Sequence, residues 1–141
     1  MTLPPLLSER SRGMQVLLAL VVPAVYGAVT GIFLGISEAV YLVLAIAGLL
    51  GAVGAGVEHS GAGAGALRGI VAGVVFGGAI LIAHEISGAE PERDLPDPAI
   101  VLIVVTTAFA VPFAALGGWI RRRQEGKGAA ESHHEVPGPL G

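Results

Sequence analysis

Four long apolar segments alternate with short polar ones along this chain. The first runs from about Met14 to Ile36 and the second from about Ala39 to Val57. The third runs from about Leu67 to Ile86 and the fourth from about Ala99 to Ile120. Each is close to the roughly 20 residues that a helix needs to cross the hydrocarbon of a bilayer. An open strand cannot satisfy its backbone in lipid, so the segments are predicted as helices.

Glycine adds a second pattern. Gly27, Gly31 and Gly35 fall at every fourth position, and so do Gly61, Gly65, Gly69, Gly73 and Gly77. In water each glycine would weaken a helix by roughly 1 kcal/mol against alanine. In lipid the same spacing clears a stripe along which another helix backbone can approach. The predicted fold is all-α, an integral membrane bundle of four antiparallel transmembrane helices with glycine-zipper packing. Residues 1–13 are a cytoplasmic lead-in, 14–120 the transmembrane domain, and 121–141 a polar, Pro/Gly-rich tail expected to be disordered. Spans one and three are expected to supply the close glycine contacts, with a right-handed crossing in at least one helix pair.

Composition agrees. The 141 residues are 53% hydrophobic and only 13% charged, where a soluble domain carries about 25%. Mean hydropathy is +0.76. Cysteine is absent, which excludes disulfides, thiolate metal sites and cysteine nucleophiles. The net charge of −3 gives no footprint for nucleic acid.

The basic residues set an orientation. Arg10, Arg12, Arg68, Arg121, Arg122, Arg123 and Lys127 all fall on one side of the four spans. The other side holds Arg93 among Glu38, Glu85, Glu90, Glu92, Asp94 and Asp97. Both termini are therefore expected in the cytoplasm of a multi-pass plasma-membrane protein. The alternative for the first span is a signal peptide cut near Gly27, but its apolar run continues to Ile36.

Local signals refine the picture. Ser37 is placed to cap the second helix, with Glu38 in its first turn. So short a turn makes spans one and two antiparallel neighbours. Asp97 and Pro98 read as the N-cap and first position of span four. The segment from Glu58 to Gly69 reads as a glycine-rich cytoplasmic loop. Pro23 and Pro112 cannot donate to Ala19 and Ala108, so those carbonyls are freed and both helices should bend. Spans one and three also share features of a duplicated hairpin, although spans two and four match poorly.

Candidate chemistry lies at the span ends. His84 falls within about 20° of Gly73 and Gly77 on a helical wheel, so it faces a neighbouring helix. Glu38, Tyr41, His84 and Glu85 share one height and form a candidate ion or proton site. The alternative is four interfacial residues facing water. One histidine with two carboxylates is too few ligands for zinc. Glu58, His59 and Arg68 form a candidate inner counterpart or else solvated loop residues, and His133-His134 lies in the tail. Arg121, Arg122 and Arg123 read as a membrane anchor in reach of anionic headgroups. No ionisable residue falls in mid-span, which argues against a carrier with a midplane site.

The layout resembles small four-span prokaryotic membrane proteins grouped only as families of unknown function. The likeness covers about residues 14 to 120. It rests on the tight Ser37-Glu38 turn, the glycine-rich second span, the small-residue loop after it and the row from Gly69 to Gly77. The resemblance implies the four-span fold and carries no activity, cofactor or site residue. The chain has no HExxH, GxSxG or GxxxxGK[ST], so no enzyme and no cofactor is expected. Two function classes follow. One is a structural or accessory module that packs in the lipid bilayer with itself or with partner helices. The other is a small oligomeric channel or transporter for protons or small cations.

Overall fold

The computed structural model describes residues 4–91 and 94–134, and these contain four long helices and no strand. Helix α1 spans Arg12–Leu34 and α2 spans Glu38–Val57. Helix α3 spans Ala62–Ser87 and α4 spans Val101–His134. A 3-10 turn at Leu7–Glu9 precedes them. The apolar stretches Arg12–Leu34, Glu38–Val57, Ala62–Ser87 and Val101–Lys127 number 23, 20, 26 and 27 residues. At about 1.5 Å per residue, each is long enough to cross a membrane. Glu92 and Arg93 of the loop before α4 lie outside the described residues, as do residues 1–3 and 135–141.

Three boundaries differ from the sequence reading. Helix α3 starts at Ala62, inside the expected loop, directly after Gly61 at φ 106°. That left-handed conformation is open to glycine and ends the preceding turn. The weak helix propensity of the glycine-rich first turns of α3 is offset by packing, because Gly65 sits against the Ala114 backbone. Helix α4 starts at Val101, where the N–H donates to Pro98 O at 2.9 Å, so Asp97 is not its N-cap. At its other end α4 continues to His134, where the sequence predicts disorder from residue 121. Arginine, glutamine, glutamate, lysine and alanine in this stretch are good helix formers. Arg121 also reaches Glu125 one turn on, at 2.7 Å.

Both described chain ends and the α2–α3 turn lie at one end of the bundle, the terminal end. The α1–α2 turn and the α3–α4 loop form the far end. At the far end Ser37 accepts a hydrogen bond from Val40 N at 3.4 Å, as its capping position predicts. Gly88, at φ 64°, closes α3.

Helix α3 is the hub. It packs along α4 and against α1, while α2 packs on α4. The two glycine rows do not meet each other. Gly27 and Gly31 face the backbone of α3 at Phe76 and Ile80. Gly69, Gly73 and Gly77 turn instead to α4, at Val111, Thr107 and Ile103. A Cβ at Gly73 would lie 2.5 Å from Thr107 Cα, and one at Gly69 would lie 2.8 Å from Val111 Cα. Thr106 follows this close approach by donating to Gly73 O at 3.1 Å. Gly56 and Gly117 let α2 and α4 approach in the same way. The apolar core beside these crossings is Leu34, Tyr41, Ile80 and Leu102.

Helices α1 and α2 are consecutive but more loosely packed. Tyr26 stands between them, its hydroxyl donating to Leu44 O at 2.7 Å. The same ring stacks on Phe76 with centroids 5.8 Å apart. Tyr26→Phe keeps the ring and deletes one interhelical hydrogen bond. The expected loss in unfolding free energy is about 0.6 kcal/mol, the usual worth of such a bond in a membrane protein. Chemical unfolding in mixed micelles measures it, and a loss several times larger would show that the hydroxyl does more than bridge two helices.

Candidate functional site

The four far-end residues that the sequence groups together differ in exposure. His84 and Tyr41 are buried, Glu38 is half-buried and Glu85 is exposed. Tyr41 joins the apolar core with Leu34 and Ile80. The His84 ring lies toward α1, its Cε1 facing Gly35. Its Nδ1 is sealed from solvent without a hydrogen-bond partner. A shallow cavity of about 380 Å³ opens beside it, walled by Leu81, Ile82, Ile86, Leu95 and Ala99 with Glu85 at its edge. Among the described residues, no three His, Asp or Glu side chains converge closely enough to hold a metal ion. The described arrangement is a buried imidazole beside an apolar cavity.

The terminal end holds the more developed polar network. Arg68 lies in the second turn of α3 and is only 8% exposed. The sequence reading puts it at the start of span three, and the earlier start of the helix at Ala62 moves it into the second turn. Its Nη2 donates to Leu18 O at 2.5 Å and its Nη1 to Ala19 O at 3.2 Å. These carbonyls are free for a reason visible in the sequence. Residues Leu17–Val21 form a π-helical turn in which Val22 N–H bonds Leu17 O. Pro23 comes next and has no N–H for Leu18 or Ala19. The guanidinium of α3 supplies the donors that the proline lacks.

Glu58 is not a free loop carboxylate. It accepts from Arg10 Nη2 at 2.8 Å, and its carbonyl accepts from Leu7 N at 3.0 Å. His59 turns back, with Nδ1 3.1 Å from Ala55 O. Arg121, expected as a lipid-facing anchor, is only 7% exposed. Its Nη1 donates to Pro4 O at 2.7 Å and to Val57 O at 3.0 Å. It thereby caps the last turn of α2 and holds the lead-in. Arg122 and Arg123 remain exposed. Arg123 lies 4.1 Å over the Trp119 ring, a cation–π pair at the end of the apolar stretch. His133 and His134 lie in the final turn of α4.

Sequence reasoning identified the freed Ala19 carbonyl but not its partner. The usable signal was an arginine at matching depth on another helix. No family model, no curated protein and no solved structure matches this chain. Fold and ends together define a class: a bundle of four helices long and apolar enough to cross a membrane, in which the buried basic side chains among the described residues lie at the two ends.

Proposed function

We propose that this chain is an integral membrane protein with both termini cytoplasmic, acting as a non-enzymatic structural or accessory module. The terminal end carries Arg10, Arg12, Arg68, Arg121, Arg122, Arg123 and Lys127, which the positive-inside rule assigns to the cytoplasm of a plasma-membrane protein. The observation that carries the functional reading is where the bundle places its glycines and polar groups. Both glycine rows serve close helix contacts within one chain, a glycine-zipper use that leaves tightly closed crossings. Thr30, Thr106 and Thr107, the mid-span hydroxyls, donate to backbone carbonyls. Their hydroxyl hydrogens are thus engaged by the backbone. Contacts with a second copy or with partner helices fall to the exposed aliphatic surface, which includes Val43, Ile46 and Leu50 of α2.

A second reading, a small channel or transporter for protons or cations, draws on His84, with its unpartnered Nδ1 beside the far-end cavity. Ion flux into proteoliposomes separates the two. The structural module gives flux of protons, potassium and a divalent cation equal to that of empty liposomes. Flux above that level, reduced by His84→Ala or Glu85→Gln, would overturn the first reading and establish the second.

A further inference from the structure

The half of α1 nearest the terminal end is sparsely packed, as residues 42–51 of α2 also are, but it alone combines that with an interrupted helical ladder. None of residues 12–21 is buried, whereas Gly27, Thr30, Gly31 and Leu34 of the same helix are. Val16, Leu17, Leu20 and Val21 are all at least 42% exposed. Side-chain packing therefore does little to hold this segment. Hydrogen bonds from arginine hold it instead, and the main tie is Arg68 on Leu18 O and Ala19 O. The junction with the packed half is the π-turn Leu17–Val21 followed by Pro23, a place where the helical ladder is already interrupted.

The tie is incompletely satisfied. Arg68 Nε is buried and has no partner, and the same is true of Arg10 Nε at the base of the segment. A buried guanidinium with an unmet donor carries a desolvation cost that its remaining bonds must offset. Such a contact sits nearer to balance than a fully bonded one. An ionisable side chain inside an apolar helix is also, by its cost, a candidate for function rather than filler.

We propose that residues 12–21 form an arm hinged at Pro23 and latched by Arg68 on the carbonyls of its Leu17–Val21 turn. Released, the arm leaves α3 and opens the bundle sideways at the terminal end, uncovering the Arg68 guanidinium. The packed half of α1 stays in place, because Gly27 and Gly31 seat it on the α3 backbone. The device does not depend on whether the protein conducts ions.

The absence of cysteine makes the test direct. One spin-label pair, Val16→Cys with Ile70→Cys, reports the arm against α3. A second pair, Val29→Cys with Ile82→Cys, reports the packed half. Distance distributions are measured by pulsed EPR in lipid nanodiscs. Arg68→Met is expected to broaden the arm-pair distribution about twofold or add a longer distance, while the second pair is unchanged. Adding Pro23→Ala to Arg68→Met should narrow the arm pair again, because the substitution restores a backbone N–H at position 23 for the freed carbonyls. An unchanged arm pair in Arg68→Met, equal broadening of both pairs, or a double variant that stays broad would each overturn the latch. Hydrogen exchange on the unmutated protein gives an independent reading that needs no variant to fold. Amides of residues 17–22 should exchange at least about tenfold faster than those of residues 29–34, and equal protection would overturn the arm.

Discussion

Gly73→Leu is expected to abolish the folded bundle. At this position the α3 backbone meets α4 so closely that even the Cβ of alanine would lie 2.5 Å from Thr107 Cα. The obstacle is backbone, which cannot rotate away as a side chain can. Overpacking by a few methylenes ordinarily costs about 1–3 kcal/mol where side chains can adjust. With no such adjustment the cost exceeds about 4 kcal/mol, enough to unfold most domains. Gly31→Leu should behave likewise, since its Cβ would meet Ile80 Cα at 2.8 Å. The control is a glycine with open surroundings. A Cβ at Gly78, on the same helix as Gly73, meets nothing within 4 Å. Gly78→Ala should therefore stabilise the protein by about 0.5–1 kcal/mol through helix propensity. Helix content and unfolding in detergent measure all three variants. Equal stability of Gly73→Leu and Gly78→Ala would show that the α3–α4 crossing is not as close as described.

The second large effect is a coupling between Pro23 and Arg68, two residues on different helices. Arg68→Met leaves Leu18 O and Ala19 O without their donors. A carbonyl left unpaired away from water costs about 1–3 kcal/mol, so the variant should lose about 2–4 kcal/mol. Pro23→Ala changes the requirement itself. With alanine the turn can relax to the α register, in which Val22 N–H serves Leu18 and the new N–H at position 23 serves Ala19. Arg68→Met should then cost less than half as much, giving a coupling energy of about 1–3 kcal/mol in a double-mutant cycle. An equal cost of Arg68→Met with proline or alanine at position 23 would mean that Arg68 does not compensate for the missing N–H.

The same pair shows how far reading the chain could go. The proline rule alone identified a freed carbonyl at Ala19, because it depends only on the covalent chemistry of one residue. It could not say which side chain fills the gap, because the donor lies 49 residues away on a helix whose start the sequence misplaces. That misplacement had its own cause. Ala-Gly repeats after Gly61 have weak helix propensity, and the packing that overrides it becomes visible only when α4 is in place. Arg121 is a similar case. Its place at a span end suggested an anchor in the headgroups, but the fold brings Pro4 O and Val57 O within its reach. At the far end, equal height along two helices groups Glu38, Tyr41, His84 and Glu85 in the sequence, whereas their exposure, with Tyr41 and His84 buried and Glu85 exposed, depends on rotation about each helix axis.

By itself the sequence determined that the described chain is all-helical, with four helices apolar and long enough to cross a membrane. Length, hydropathy and the need to satisfy backbone groups in lipid are local properties, readable one segment at a time. Only the tertiary structure decided which helices the glycines join. The row at Gly27 and Gly31 closes on α3, the row at Gly69 to Gly77 closes on α4, and the consecutive helices α1 and α2 stay apart around Tyr26. A glycine row states that something can come close. What comes close depends on the mutual fit of four helices at once, and no single segment carries that information.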